Sequence, residues 1–164
     1  MDGIGSILLF LHVGGAIVAF GPTFTFPIIG AMGGKEPMHV NFALRLTERI
    51  EERLVLPLAI FQAVTGVLLI WKIPFDLFST HWLVLGIILY VIALTIVFVN
   101  QLPYTRKLVE ATKNPPPPPA PGSPPPSGPP PHVAAMIKRV QMGGMILTVL
   151  LVVIIFLMAV KPAF

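Results

Sequence analysis

The chain has 164 residues, of which 55% are hydrophobic and 11% charged, with a formal net charge of +4. Soluble globular domains carry about 25% Asp, Glu, Lys and Arg, so this chain has too little polar surface for water, which excludes a soluble enzyme. It has no cysteine, which excludes disulfides, thiolate metal sites and cysteine nucleophiles.

A helix that crosses a bilayer needs about 20 mostly apolar residues. Four runs meet that requirement: residues 4–29, 54–71, 82–99 and 140–160. The expected fold is therefore all-α, one membrane domain over residues 1–164 built as a four-transmembrane-helix bundle. The first run is read as a retained span and not a secretory signal. Only Asp2 precedes it in place of a basic segment, and no A-x-A-like site follows. Gly14, Gly15 and Ala19 give this span a small-residue face of the kind that lets helices approach closely. Gly21-Pro22 and Pro27 predict a kink near its end, with Thr23 and Thr25 placed to satisfy the carbonyls that the prolines free. A broken helix lining a substrate or ion site is the functional alternative.

Residues 38–53 read as a juxtamembrane helix running directly into span two. Arg45 with Glu48, and Arg49 with Glu52, are spaced to pair along its surface. Phe42, Leu46 and Ile50 form an apolar stripe beside them, which rests on the membrane or docks a partner. Span two carries Pro57, a weaker kink candidate, then Gln62, Thr65 and Gly66 on one face. Trp71 and Trp82 flank the next connection as interfacial aromatics do. Residues 115–131 hold 12 prolines in 17 positions, which predicts a disordered or polyproline II linker loop. Span four opens with Gln141, Gly143 and Gly144, followed by Thr148, further means of helix association.

Positive residues mark the cytoplasmic connections. The first long connection holds Lys35, Arg45, Arg49 and Arg53; the second holds Arg106, Lys107, Lys113, Lys138 and Arg139. The opposite side holds only Lys72 and Lys161. Both long loops are thus expected in the cytoplasm, with both termini outside. Lys and Arg placed this way set topology and give no reason to expect nucleic-acid binding.

His12 is the sharpest single residue. It lies about eight residues into span one, roughly 12 Å deep. A titratable side chain there either hydrogen-bonds a neighbouring helix, through Gln62, Thr65, Tyr90 or Thr148, or serves as a ligand or proton carrier. Haem b is the cofactor to weigh, with His81 as the second ligand. His81, however, starts span three and lies roughly 10 Å shallower. His39 and His132 fall in the cytoplasmic loops. There is no metal-binding His/Glu pair, no Walker loop, no dinucleotide fingerprint and no hydrolase elbow.

The pieces Leu11-His12 with Gly14-Gly15-Ala16, Leu56-Pro57 with Thr65-Gly66, Trp82, and Phe156-Leu157-Met158 with Lys161-Pro162 resemble domain-of-unknown-function family 2269. This is a group of predicted bacterial integral membrane proteins. The resemblance covers most of the chain except the proline-rich loop, and implies four helices and no assigned activity. The plan is also similar to small four-helix bacterial membrane proteins that hold haem or copper near a span-one histidine. Only His12 would carry over, and no second intramembrane histidine is placed to match. The leading expectation is a non-enzymatic structural or accessory subunit of the bacterial inner membrane, partnered by another membrane protein or by copies of itself. A haem- or quinone-linked redox protein and a small transporter are the alternatives.

Overall fold

A computed structural model describes residues 3–73, 79–114 and 128–162. Within them the chain forms four helical rods, Gly3–Lys35, Val40–Lys72, His81–Ala111 and Pro131–Val160, each long and apolar enough to cross a membrane. At 1.5 Å per residue such rods reach about 45–50 Å, beyond the roughly 30 Å of a hydrocarbon core. Each therefore has length left over for a second task.

Three rods change their winding near one common end, and proline explains each change. Rod one is α1 (Gly3–Phe20), a 3₁₀ segment (Gly21–Thr25) and α2 (Phe26–Lys35). Pro27 has no N–H to give Thr23, so the Phe26 N–H bonds the Thr23 carbonyl instead and tightens the turn. The Thr23 hydroxyl donates to the Phe20 carbonyl at 2.6 Å and the Thr25 hydroxyl to that of Pro22 at 2.7 Å. Rod two is α3 (Val40–Ile50), a π segment (Glu51–Val55) and α4 (Leu56–Lys72). Rod three repeats that plan with α5 (His81–Ile96), a π segment (Val97–Gln101) and α6 (Leu102–Ala111). In both, the residue before proline reaches back five positions, Leu56 N–H to Glu51 and Leu102 N–H to Val97. A wider turn makes room for the rings of Pro57 and Pro103, which would otherwise strike the carbonyl four residues earlier.

Rod four is the single helix α7 (Pro131–Val160). It begins well before residue 140, within the stretch expected to be wholly irregular. Pro131 occupies the first helical turn, where a missing N–H costs nothing. The proline-rich loop over residues 115–127 lies outside the described residues.

In the apolar half, α1 lies along α4 and α5 along α7, giving two helical hairpins. At the other end α2 packs on α3, α3 on α6, and α6 on α7, which ties the hairpins together. That junction is the best-buried part of the molecule: Leu108 is 1% exposed, with Leu102, Thr105 and Val109 buried around it. Asn41 of α3 donates to the Val109 carbonyl at 2.8 Å and to the Thr112 hydroxyl at 3.0 Å. Glu52, expected beside Arg49, pairs instead with Arg106 at 2.6 Å, because the packing of α3 on α6 brings a cation from another rod closer than the local one. Nearer the middle, the Tyr90 hydroxyl donates to the Ala59 carbonyl at 2.5 Å, from α5 to α4.

The most apolar window of each rod is only 11–28% buried within the chain. The remaining apolar side chains, Phe10, Val67, Met145 and Phe156 among them, face outward. Hydrocarbon is the solvent that suits that surface. Leu108→Ala should therefore cost about 3 kcal/mol. Phe156→Ala, on the outer surface, should fall within about 0.5 kcal/mol of wild type. Denaturation midpoints in mild detergent check both.

Candidate functional site

The internal face of rod two is marked by Val55, Ala59, Gln62, Thr65 and Leu69, all buried and spaced four, three, three and four apart. That spacing keeps them on one side of a helix, turned toward α1. Two glycines let α1 and α4 come close. A Cβ on Gly66 would lie 3.2 Å from His12 Cε1, and one on Gly15 would lie 3.1 Å from the Phe61 ring and 3.3 Å from Gln62 Oε1. Ala19, the next small residue on the Gly15 face, is completely buried. A Cβ on Gly14, by contrast, would meet no atom within 4 Å.

Into this seam His12 projects. Its Nδ1 lies 2.9 Å from Thr65 Oγ1, and its Nε2 lies 3.0 Å from Gln62 Nε2. One tautomer suits these partners with the Gln62 amide oriented as it stands. The Thr65 hydroxyl has one proton, and it points at the carbonyls of Phe61 (3.0 Å) and Gln62 (3.1 Å). Its oxygen therefore accepts, and Nδ1–H of His12 donates. The Gln62 amide nitrogen can only donate, so Nε2 of His12 accepts and carries no proton. In that tautomer the imidazole is neutral with a partner at each nitrogen, which avoids placing a cation inside the bilayer. The remaining polar atom, Gln62 Oε1, is buried without a hydrogen-bond partner and faces Gly15.

The other expected partners of His12 are engaged elsewhere: Tyr90 with Ala59, and Thr148 with the Gly144 carbonyl of its own helix at 2.9 Å. His81 is the first residue of α5 and is exposed, whereas His12 lies about two and a half turns into α1. Among the described residues no three His, Asp or Glu side chains converge as a metal site would require.

A second polar cluster lies at the π segment of rod three. Arg139 Nε donates to Asn100 Oδ1 at 2.9 Å, and Asn100 Nδ2 donates to Gln101 Oε1 at 3.1 Å. Gly143 of α7 packs directly beneath; any Cβ there would collide with Asn100 and Gln101. Gly144 is next to Gln101, its Cβ position 3.4 Å from Nε2. Sequence reasoning missed Asn100 and Gln101. The signal was the second Leu-Pro step, Leu102-Pro103, which repeats Leu56-Pro57 in span two.

The family described as predicted integral membrane protein, DUF2269, matches residues 6–162. The chain belongs to that family. No curated protein and no solved structure matches it. The matched range takes in every residue of both clusters and both Leu-Pro steps, and the DUF2269 description assigns no activity to any of them.

The His12 bonds should be measurable as a coupling. In a double-mutant cycle with His12→Leu and Gln62→Leu, the two changes should be less than additive by roughly 0.6 kcal/mol, and no more than about 1.7. Unfolding in detergent measures it.

Proposed function

We propose that this DUF2269 protein is a non-enzymatic subunit of a bacterial inner-membrane assembly, and that it docks its partner, another membrane protein, through α3. The observation that carries this reading is the outer face of α3. Phe42 is 60% exposed and Leu46 is 39% exposed, while the opposite face, with Asn41, is fixed to α6. An amphipathic helix held rigidly at its back and apolar at its front is suited to a helix–helix contact. Arg45 and Arg49, both exposed, border the stripe and would give that contact a polar rim.

The competing chemistries find less support. A haem ligand would have to be released from two hydrogen bonds first. A transport site at the 3₁₀ break would need free carbonyls, yet those of Phe20, Pro22 and Thr23 are bonded by Thr23, Thr25 and the Phe26 N–H. The excess of Lys and Arg at the end that holds α3 and α6 favours the cytoplasm for that end, with residues 54–71 and their three counterparts in the hydrocarbon.

Phe42→Ser with Leu46→Ser should abolish co-purification of the partner after crosslinking in membranes, while changing the melting temperature of the isolated protein by no more than a few degrees. Unchanged capture would refute docking through α3. The orientation has its own check, helped by the absence of cysteine. Gly34→Cys, at a position with open space around it, should react with an impermeant maleimide only after cell lysis. Ser79→Cys should react in intact cells.

A further inference from the structure

Where α6 meets α7, two cations converge on one aromatic ring. The Arg139 guanidinium carbon lies 4.3 Å from the centre of the Tyr104 ring, and Lys107 Nζ lies 5.0 Å from the same point. No more than about 9 Å can separate the two charges. Neither is in an ion pair among the described residues. On rods two and three, Glu52 is held by Arg106 and Glu110 by Lys113. Lys138, also exposed, is the next residue to Arg139 and adds a third positive charge. Asn100 accepts from Arg139 Nε and so fixes the guanidinium with its terminal nitrogens left for another acceptor. Like charges gathered by a ring and a neutral amide, with no carboxylate between them, are arranged for an anion from outside the chain.

The surroundings say which anion. Toward the apolar half, Phe98 and Val99, six and five residues before Tyr104, and Met142 and Met145, three and six residues after Arg139, are all exposed. The cations therefore sit where the outer surface of both rods changes from hydrocarbon-facing to charged. A phospholipid presents its phosphate and its acyl chains in just that order. We propose that Lys107, Arg139 and Tyr104 form a binding site for the headgroup phosphate of one anionic phospholipid, whose chains lie over Phe98, Val99, Met142 and Met145. The site does not depend on docking through α3.

Native mass spectrometry of the full chain, released from mild detergent and titrated with phosphatidylglycerol, tests this. One phosphatidylglycerol should be retained in preference to phosphatidylcholine. Lys107→Gln with Arg139→Gln should weaken that retention about thirtyfold. Lys107→Gln alone, at an exposed position that cannot disturb the fold, should weaken it several-fold. Lys35→Gln, which removes the same charge from the same end outside the cluster, should leave it unchanged. Equal loss in Lys35→Gln would overturn the site in favour of diffuse surface charge. Equal retention of phosphatidylcholine would overturn it as well. So would millimolar inorganic phosphate that displaces the lipid, since the headgroup alone would then explain the binding.

Discussion

A polar side chain in hydrocarbon has no water to fall back on, so whatever it bonds to fixes the geometry around it. His12 is the side chain for which that constraint is most severe here. Its two ring nitrogens take one donor and one acceptor from α4, and they do so only because Gly66 and Gly15 let the two helices come close enough. The bonds then dictate register. A slip of one residue along either helix would strand Thr65, Gln62 and His12 together. The first hairpin is thus specified by one imidazole in a seam otherwise made of interchangeable apolar groups.

The second hairpin follows the same rule with a different ligand set. Asn100, Gln101 and Arg139 satisfy one another across α7, and Gly143 again provides the close approach. Proline sets where these clusters lie. Each Leu-Pro step forces a wide turn immediately before it, and Glu51 and Gln101 are both buried in those turns. The rods therefore change character at a common level. On one side lie apolar hairpins with few contacts between them, and on the other lies a small packed junction around Leu108 and Asn41. The apolar hairpins are held by a few directional bonds, and the junction at the other end mainly by burial.

The four apolar rods were legible in the sequence because length and hydropathy are sufficient to specify a membrane-crossing helix. The Gly15 and Gly66 contacts and the pairing of His12 with Gln62 and Thr65 were partly legible, as small and polar residues inside a span have few other uses. Tyr90 and Thr148 were equally good partners on paper; only the way the helices pair, α1 with α4 and α5 with α7, separates them. The Glu52–Arg106 pair was not legible, since the local Arg49 has the right spacing and only the packing of α3 on α6 overrides it. Nor was the early start of α7, where a proline that looks like loop serves as a first helical turn. The convergence of Lys107 and Arg139 on Tyr104 joins residues more than thirty apart across a proline-rich stretch, and no sequence pattern encodes it.

The neutral, doubly bonded His12 is the point on which this account rests. It is best tested by nitrogen-15 NMR of the histidine-labelled protein in lipid, with the His12 signals assigned by their loss in His12→Leu. The account predicts a neutral ring protonated at Nδ1, with Nε2 shifted as a hydrogen-bond acceptor. A ring protonated at Nε2 instead, or one coordinating a metal or haem, would contradict it.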